Sequence, residues 1–188
     1  MALGFFFGVA VVLWGLWLVS WHLAALWRST PTVRAPRASY RVHFVAVALG
    51  FFLVFNALPR LERPQLWPVG EVLGWLMEGV IVAGILFAWW ARIHLGKLWS
   101  GGIERMAEHR VVDSGPYAVV RHPIYTGLIA AAFATAAIRA TPWALAGAGL
   151  FALGFALKAR VEERFLESEL GGYDAYRARV PMIVPFVH

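Results

Sequence analysis

Five stretches of the chain are long, apolar and almost free of charge, and short polar connections separate them. A helix needs about 20 apolar residues to cross a bilayer. Ala2–Trp27 meets that length without a charge, and His22 is its only strongly polar side chain. Val42–Leu58 is a shorter, charge-free second span. Val69–Trp90 is a third, interrupted by Glu78. Ile124–Ile138 and Ala140–Leu157 are parted by Arg139, Thr141 and Pro142, a connection short enough to make an antiparallel hairpin. Ala144, Ala148, Ala152 and Ala156 recur every fourth residue, opposite Gly127, Ala130, Ala131 and Ala134. Small residues at that spacing let membrane helices approach closely, so the hairpin is expected to pack against itself. From Lys158 the pattern changes. Lys158–Leu170 is rich in charged helix formers, Gly171 and Gly172 end it, and Tyr173–Val180 predicts a second short helix. Pro181 and Pro185 bracket an apolar tail.

Composition agrees with this pattern. Of 188 residues, 60% are hydrophobic and 15% charged, and the mean hydropathy is +0.64. A soluble domain is nearer half apolar and a quarter charged. The expected fold is therefore all-α and membrane-embedded, with five transmembrane helices in one domain. Residues 1–90 supply three spans, and 91–188 carry the hairpin 124–157 and the tail. No cysteine is present, which excludes disulfides and thiol metal sites. The net charge of +6 is spread over the connections and forms no nucleic-acid surface. Arg28, Arg34, Arg37 and Arg41 follow the first span without an acid among them. That bias predicts a cytoplasmic loop and an outside N-terminus. The first span has no preceding basic residue and is too long for a signal-peptide core. Pro59–Pro68 then reads as an outer turn, and Arg92–Arg121 and the tail lie together inside. Glu78, costly within a span, is expected either to line a bundle cavity or to pair near the outer surface.

The chemistry concentrates in Ser114–Gly127, SGPYAVVRHPIYTG. Pro123 suits a first helical position, where its missing N–H costs nothing. His122, before a proline, is pushed toward extended geometry. Arg121 and His122 then stand at a helix N-terminus, whose free N–H groups and partial positive charge suit an anion. Tyr125 shares a helix side with His122. The second polar stretch offers Lys158, Arg160, Glu162 and Glu163, with Lys158 and Glu162 spaced i,i+4. Each residue also has a plainer reading. Arg121 could anchor to lipid phosphate, Tyr117 and Tyr125 could be interfacial tyrosines, and the two glutamates could form a solvated helix face. His94, His109 and His122 lack the tight spacing of a zinc helix motif, so no metal is expected.

GPYAVVRHPIYTG followed by VEERFLESELGGYDAYRARVP resembles the isoprenylcysteine carboxyl methyltransferase family, over roughly Leu95 to the C-terminus. The resemblance implies an integral membrane enzyme using S-adenosylmethionine, with a cytoplasmic cofactor pocket built from the third–fourth span loop and the C-terminal tail. It places cofactor contacts on His109, Arg110, Val111, Val112, Tyr117, His122, Pro123, Ile124, Tyr125 and Glu162. Its substrate-side arginine falls at Lys158, with Arg160 two residues later. A lysine lacks the planar fork that grips a carboxylate.

The reaction so implied is methyl transfer to a lipophilic acceptor, a carboxylate first, in the manner of a prenylated acceptor. Arg121, Lys158 or Arg160 would hold the acceptor, Glu162 would meet the cofactor's amino group, and positioning would supply the rate. An amine or thiol acceptor would need a base, for which Glu163 or Tyr125 are candidates. A lipophilic acceptor is expected to enter from the bilayer beside the hairpin, near Gly127 and Ala156. Two other classes fit the spans: an NADPH-dependent lipid or sterol reductase, and a non-enzymatic heme- or lipid-binding membrane protein.

Overall fold

The structure is a computed structural model, and it describes residues 2–26, 31–34, 41–55, 64–100, 102, 104–106 and 111–187. These form six α-helices: α1 (Ala2–Ala24), α2 (Arg41–Phe55), α3 (Glu71–Leu95), α4 (Pro123–Arg139), α5 (Pro142–Glu169) and α6 (Tyr173–Arg179). Apart from them the regular structure is two 3-10 turns and one antiparallel ribbon, β1 (Pro31–Arg34) with β2 (Glu104–Met106). The helical fold expected from the hydropathy is present, and the ribbon was not foreseen.

α1, α3 and α5 are long and apolar enough to cross a membrane, which gives the chain a multi-pass membrane architecture. α2 has 15 residues and α4 has 17. At 1.5 Å per residue they reach about 22 and 25 Å, short of the ~30 Å hydrocarbon core. The connections alternate between the two ends of the bundle. The β1–β2 ribbon ties the α1–α2 connection to the α3–α4 connection at one end. At the other, the Leu66 N–H bonds the Ala140 carbonyl at 2.7 Å, joining the α2–α3 connection to the α4–α5 turn. Residues 59–63 of the expected outer turn lie outside the described residues.

Local chemistry explains most boundaries. Pro123 opens α4, with His122 at φ −123° before it. Ala140 ends α4 in the left-handed region, and Thr141 caps α5 by accepting from the Ala144 N–H. Gly172, at φ 84°, turns the chain into α6. Two expected boundaries move. α3 runs through Trp90 to Leu95, so Arg92 is helical rather than part of a loop. The span end expected at Leu157 is not a helix end: α5 is one helix of 28 residues, about 42 Å long, whose charged last twelve residues continue the apolar part. Charge changes what a helix face meets, but Lys, Arg and Glu are as helix-favouring as Leu.

Gly127, Gly147 and Gly154 of the hairpin meet helices outside it. On α5, a Cβ at Gly147 would lie 2.8 Å from the Gly50 carbonyl oxygen, and one at Gly154 would lie 2.9 Å from the Val47 nitrogen, both on α2. On α4, a Cβ at Gly127 would collide with the Gly84 carbonyl oxygen of α3, and the reverse holds for Gly84. The closest approaches are thus α2 against α5 and α3 against α4. Gly127 is a packing point and not a portal, which overturns its expected place beside an acceptor route. Gly127→Val is expected to destabilise the bundle by about 1–3 kcal/mol, the usual cost of overpacking, or more against rigid backbone. Thermal unfolding in detergent measures this, and an unchanged midpoint would refute the packing.

In the core, the buried Trp14 indole donates to the Thr135 hydroxyl at 3.1 Å, which itself donates to the Ala131 carbonyl at 2.8 Å. Glu78 is 4% exposed on α3, and neither carboxylate oxygen has a hydrogen-bond partner among the described residues. The expected pairing near the outer surface is therefore not formed with any described residue.

Candidate active site

At the ribbon end of the bundle, a cavity of about 550 Å³ gathers residues from all six helices except α6's basic end. Its polar half rests on the start of α4 and the charged end of α5. The Tyr125 hydroxyl donates to Glu162 Oε2 at 2.7 Å. Lys158 Nζ lies 3.5 Å from Glu162 Oε1 and 5.2 Å from the Tyr125 ring centroid. His122 stacks on Tyr125 with ring centroids 5.2 Å apart and planes 4° from parallel. The i,i+3 spacing of His122 and Tyr125 produces that stack once Pro123 starts the helix.

Glu163 faces another way. It is 5% exposed, and its Oε1 accepts from Arg121 Nε at 2.7 Å and stands 3.1 Å from His122 Nε2. Arg121 Nη2 reaches Oε2 at 3.2 Å, completing a two-pronged contact. Arg121 Nη1 also donates to the carbonyls of Arg177 and Val180. The tail is sewn to the same point by backbone. The Arg121 and His122 N–H groups bond the Pro181 and Met182 carbonyls at 2.9 and 3.0 Å, and the Thr126 hydroxyl donates to the Ile183 carbonyl at 2.6 Å. These two N–H groups lie just ahead of α4 and are occupied by the chain itself.

Tyr117 sits in the 3-10 turn Gly115–Ala118, and Gly115 holds φ 59° under the His94 ring. The Tyr176 hydroxyl donates to the Tyr117 carbonyl at 2.7 Å, docking α6 against that turn. Burial, ahead of neighbouring charge, pushes the hydroxyls of Tyr117, Tyr173 and Tyr176 above the ordinary phenol range. They remain neutral donors at physiological pH.

Of the residues singled out in the sequence, Arg121, His122, Pro123, Ile124, Tyr125, Val111, Val112, Tyr117, Lys158 and Glu162 all line this one cavity. Arg160 is exposed and does not line it. His109 and Arg110 lie outside the described residues. Among the described residues, no three His, Asp or Glu side chains are grouped as a metal site. Sequence reasoning missed the other half of the cavity: Trp17, Trp21, His22 and Ala25 of α1, Phe44 of α2, and Leu95, Leu98 and Trp99 beyond α3. The clustering of Trp14, Trp17 and Trp21 on one side of α1 was the available signal, but it is equally the mark of an interfacial belt.

Residues 76–168 match the isoprenylcysteine carboxyl methyltransferase (ICMT) family. That stretch, just under half of the chain, is similar to this family and includes the whole of the first motif and the start of the second. The chain is 34% identical over 122 residues to protein-S-isoprenylcysteine O-methyltransferase B of Arabidopsis thaliana, covering 64% of this chain and 56% of that protein. It is 28% identical over 173 residues to methanethiol S-methyltransferase 2 of Bradyrhizobium diazoefficiens, covering 85% of this chain and 63% of the relative. It is also 30% identical over 116 residues to the cobalt-zinc-cadmium resistance protein CzcN of Cupriavidus metallidurans, covering 59% and 51%. The chain thus spans between half and two thirds of the length of these relatives.

Proposed function

We propose that this chain transfers a methyl group from S-adenosylmethionine to a lipophilic acceptor. The observation that carries this reading is Glu162, set by Tyr125 beside Lys158, in a cavity polar at one end and aromatic at the other. The residues fit the donor. The volume lies within the range of small-molecule sites. Glu162 offers a carboxylate to an ammonium group, Lys158 a cation to a carboxylate, and Tyr117, Val111 and Val112 an apolar wall to a flat base. S-adenosylmethionine supplies an electrophilic methyl on a sulfonium centre. The protein then has only to orient the acceptor in line and exclude water, which is worth up to about 7–11 kcal/mol in ideal cases. Two relatives are named for an oxygen and a sulfur acceptor respectively, so similarity to the family leaves the acceptor atom open.

A carboxylate acceptor, the one implied by the resemblance, would have to compete with Glu163 for Arg121 and with the donor's own carboxylate for Lys158. Arg121 is better read as the clamp that positions His122 and the tail. The reading takes 1–188 as one domain, with five spans formed by α1–α5 and the site at the ribbon end. The arginine bias of 28–41 puts that end in the cytoplasm and the N-terminus outside. Labelling of cysteines introduced at residues 2 and 187 tests this, and labelling from one side only would defeat it.

Heating the solubilised protein with S-adenosylhomocysteine, NADPH or heme tests the function. A true ligand at 100 times its Kd adds about 2.7 kcal/mol. S-adenosylhomocysteine should raise the unfolding temperature and the other two should not. A shift with NADPH or heme alone would replace methyl transfer with the reductase or heme-binding reading.

A further inference from the structure

The aromatic half of the cavity has a composition that selects among acceptors. Trp17 and Trp21 lie with ring centroids 5.3 Å apart, and Trp21 meets Trp99 edge-on at 5.4 Å. Trp99 is backed by the Arg92 guanidinium 4.3 Å from its ring centroid. Arg92 is itself fixed by the carbonyls of Ala24 and Gly96, at 2.8 and 2.7 Å. The aromatic wall is therefore held between the ends of α1 and α3. Its α1 and α2 parts, Trp17, Trp21, His22 and Phe44, fall outside the family-matched residues 76–168.

No lysine or arginine lines this half among the described residues. The cavity's two cations stand at the other end, each against a glutamate. Among the described residues, a carboxylate head group lodged among the tryptophans would meet no lining cation, which is costly for a desolvated charge. Among the described residues, the side chain at this end that can take up a proton is His22. Its Nδ1 lies 2.7 Å from the Leu18 carbonyl oxygen, and a carbonyl can only accept, so the ring proton resides on Nδ1. Nε2 then keeps its lone pair, on an exposed ring that lines the cavity.

We propose that the aromatic half is the acceptor subsite, that the acceptor is a lipophilic thiol, and that His22 takes its proton. A thiol arrives neutral, tolerates an apolar wall and is a weak donor toward Nε2. A thiol such as cysteine's ionises near about 8.5, within reach of an imidazole base, whereas an alcohol holds its proton far too tightly. The step balances. The S–H proton moves to His22 Nε2, and the sulfur lone pair forms the new S–CH₃ bond. The pair of the broken sulfonium bond stays on the donor's sulfur, and His22 later returns the proton to water.

This rests on the methyl-transfer reading, and the experiment separates the two. Wild type, His22→Gln and Trp21→Ala are titrated with S-adenosylhomocysteine by calorimetry. They are titrated with a long-chain alkanethiol by tryptophan fluorescence, without the donor. Turnover is then measured on the alkanethiol, on an arenethiol already ionised at the assay pH, and on a fatty acid. The alkanethiol should be methylated, and His22→Gln should lower that turnover by about 10²-fold or more, the contribution of a general base. Alkanethiol binding should survive in His22→Gln, and the loss should shrink on the arenethiol, which needs no base. Trp21→Ala should weaken thiol binding and leave S-adenosylhomocysteine binding intact. Equal alkanethiol turnover in wild type and His22→Gln, or a preference for the fatty acid over both thiols, would overturn the proposal while methyl transfer stands. Failure of every variant to bind S-adenosylhomocysteine, with no acceptor methylated, would remove both.

Discussion

Glu163→Ala is expected to destabilise the protein by about 3–5 kcal/mol, the cost of leaving one partner of a buried ion pair behind. Arg121 and Glu163 are 8% and 6% exposed at the side chain, and a solvent-facing pair would contribute far less. Removing the carboxylate strands the Arg121 guanidinium and takes away the group facing His122 Nε2. The same guanidinium donates to the Arg177 and Val180 carbonyls, so the damage should spread to the docked tail. Limited proteolysis should then cut near Gly171–Gly172, and denaturant unfolding should show the loss. Arg121→Lys should not restore the wild-type behaviour, because an ammonium group cannot span both carboxylate oxygens and two carbonyls. A stability change under about 1 kcal/mol in Glu163→Ala, the range of an exposed pair, would show that the clamp is not formed.

The neighbouring glutamate should behave in the opposite way. Glu162→Gln keeps an oxygen to accept from Tyr125, so folding should change little. Donor affinity should fall by about 1.5–3 kcal/mol, the worth of a hydrogen bond to a charged group. That is roughly 10- to 150-fold in Kd, and titration calorimetry with S-adenosylhomocysteine measures it. Glu167→Gln is the control, since Glu167 pairs with Arg177 on the exposed side of α5. Equal losses from Glu162→Gln and Glu167→Gln would mean that Glu162 does not face the donor.

Much of the site was legible in the sequence because its polar half comes from local patterns. Pro123 fixed where α4 begins, and that start placed His122 and Tyr125 on one side. The pairing of Lys158 with Glu162 follows from i,i+4 spacing alone. Gly172 and the paired tyrosines marked α6, whose Tyr176 does reach the Ser114–Gly127 segment. The aromatic half was not legible. Trp17, Trp21 and Phe44 are far in sequence from the motifs, and apolar residues at helical spacing look alike whether they meet lipid, core or a ligand.

Sequence by itself determined the apolar helices, the polar motif segment and the end of the chain that must return to it. Hydropathy and turn chemistry act within a few residues, so a linear reading captures them. Tertiary structure decided which helices touch and which way each polar side chain faces. Gly127 was assigned to the partner helix of its own hairpin, yet a Cβ there would collide with α3, while Gly147 and Gly154 of α5 meet α2. Glu162 and Glu163 are chemically identical neighbours, separated by roughly 100° around the helix axis. One faces the cavity and the other the Arg121 clamp. That difference depends on the rotation of α5 about its own axis, which packing against α2 and α4 sets and no local residue pattern encodes.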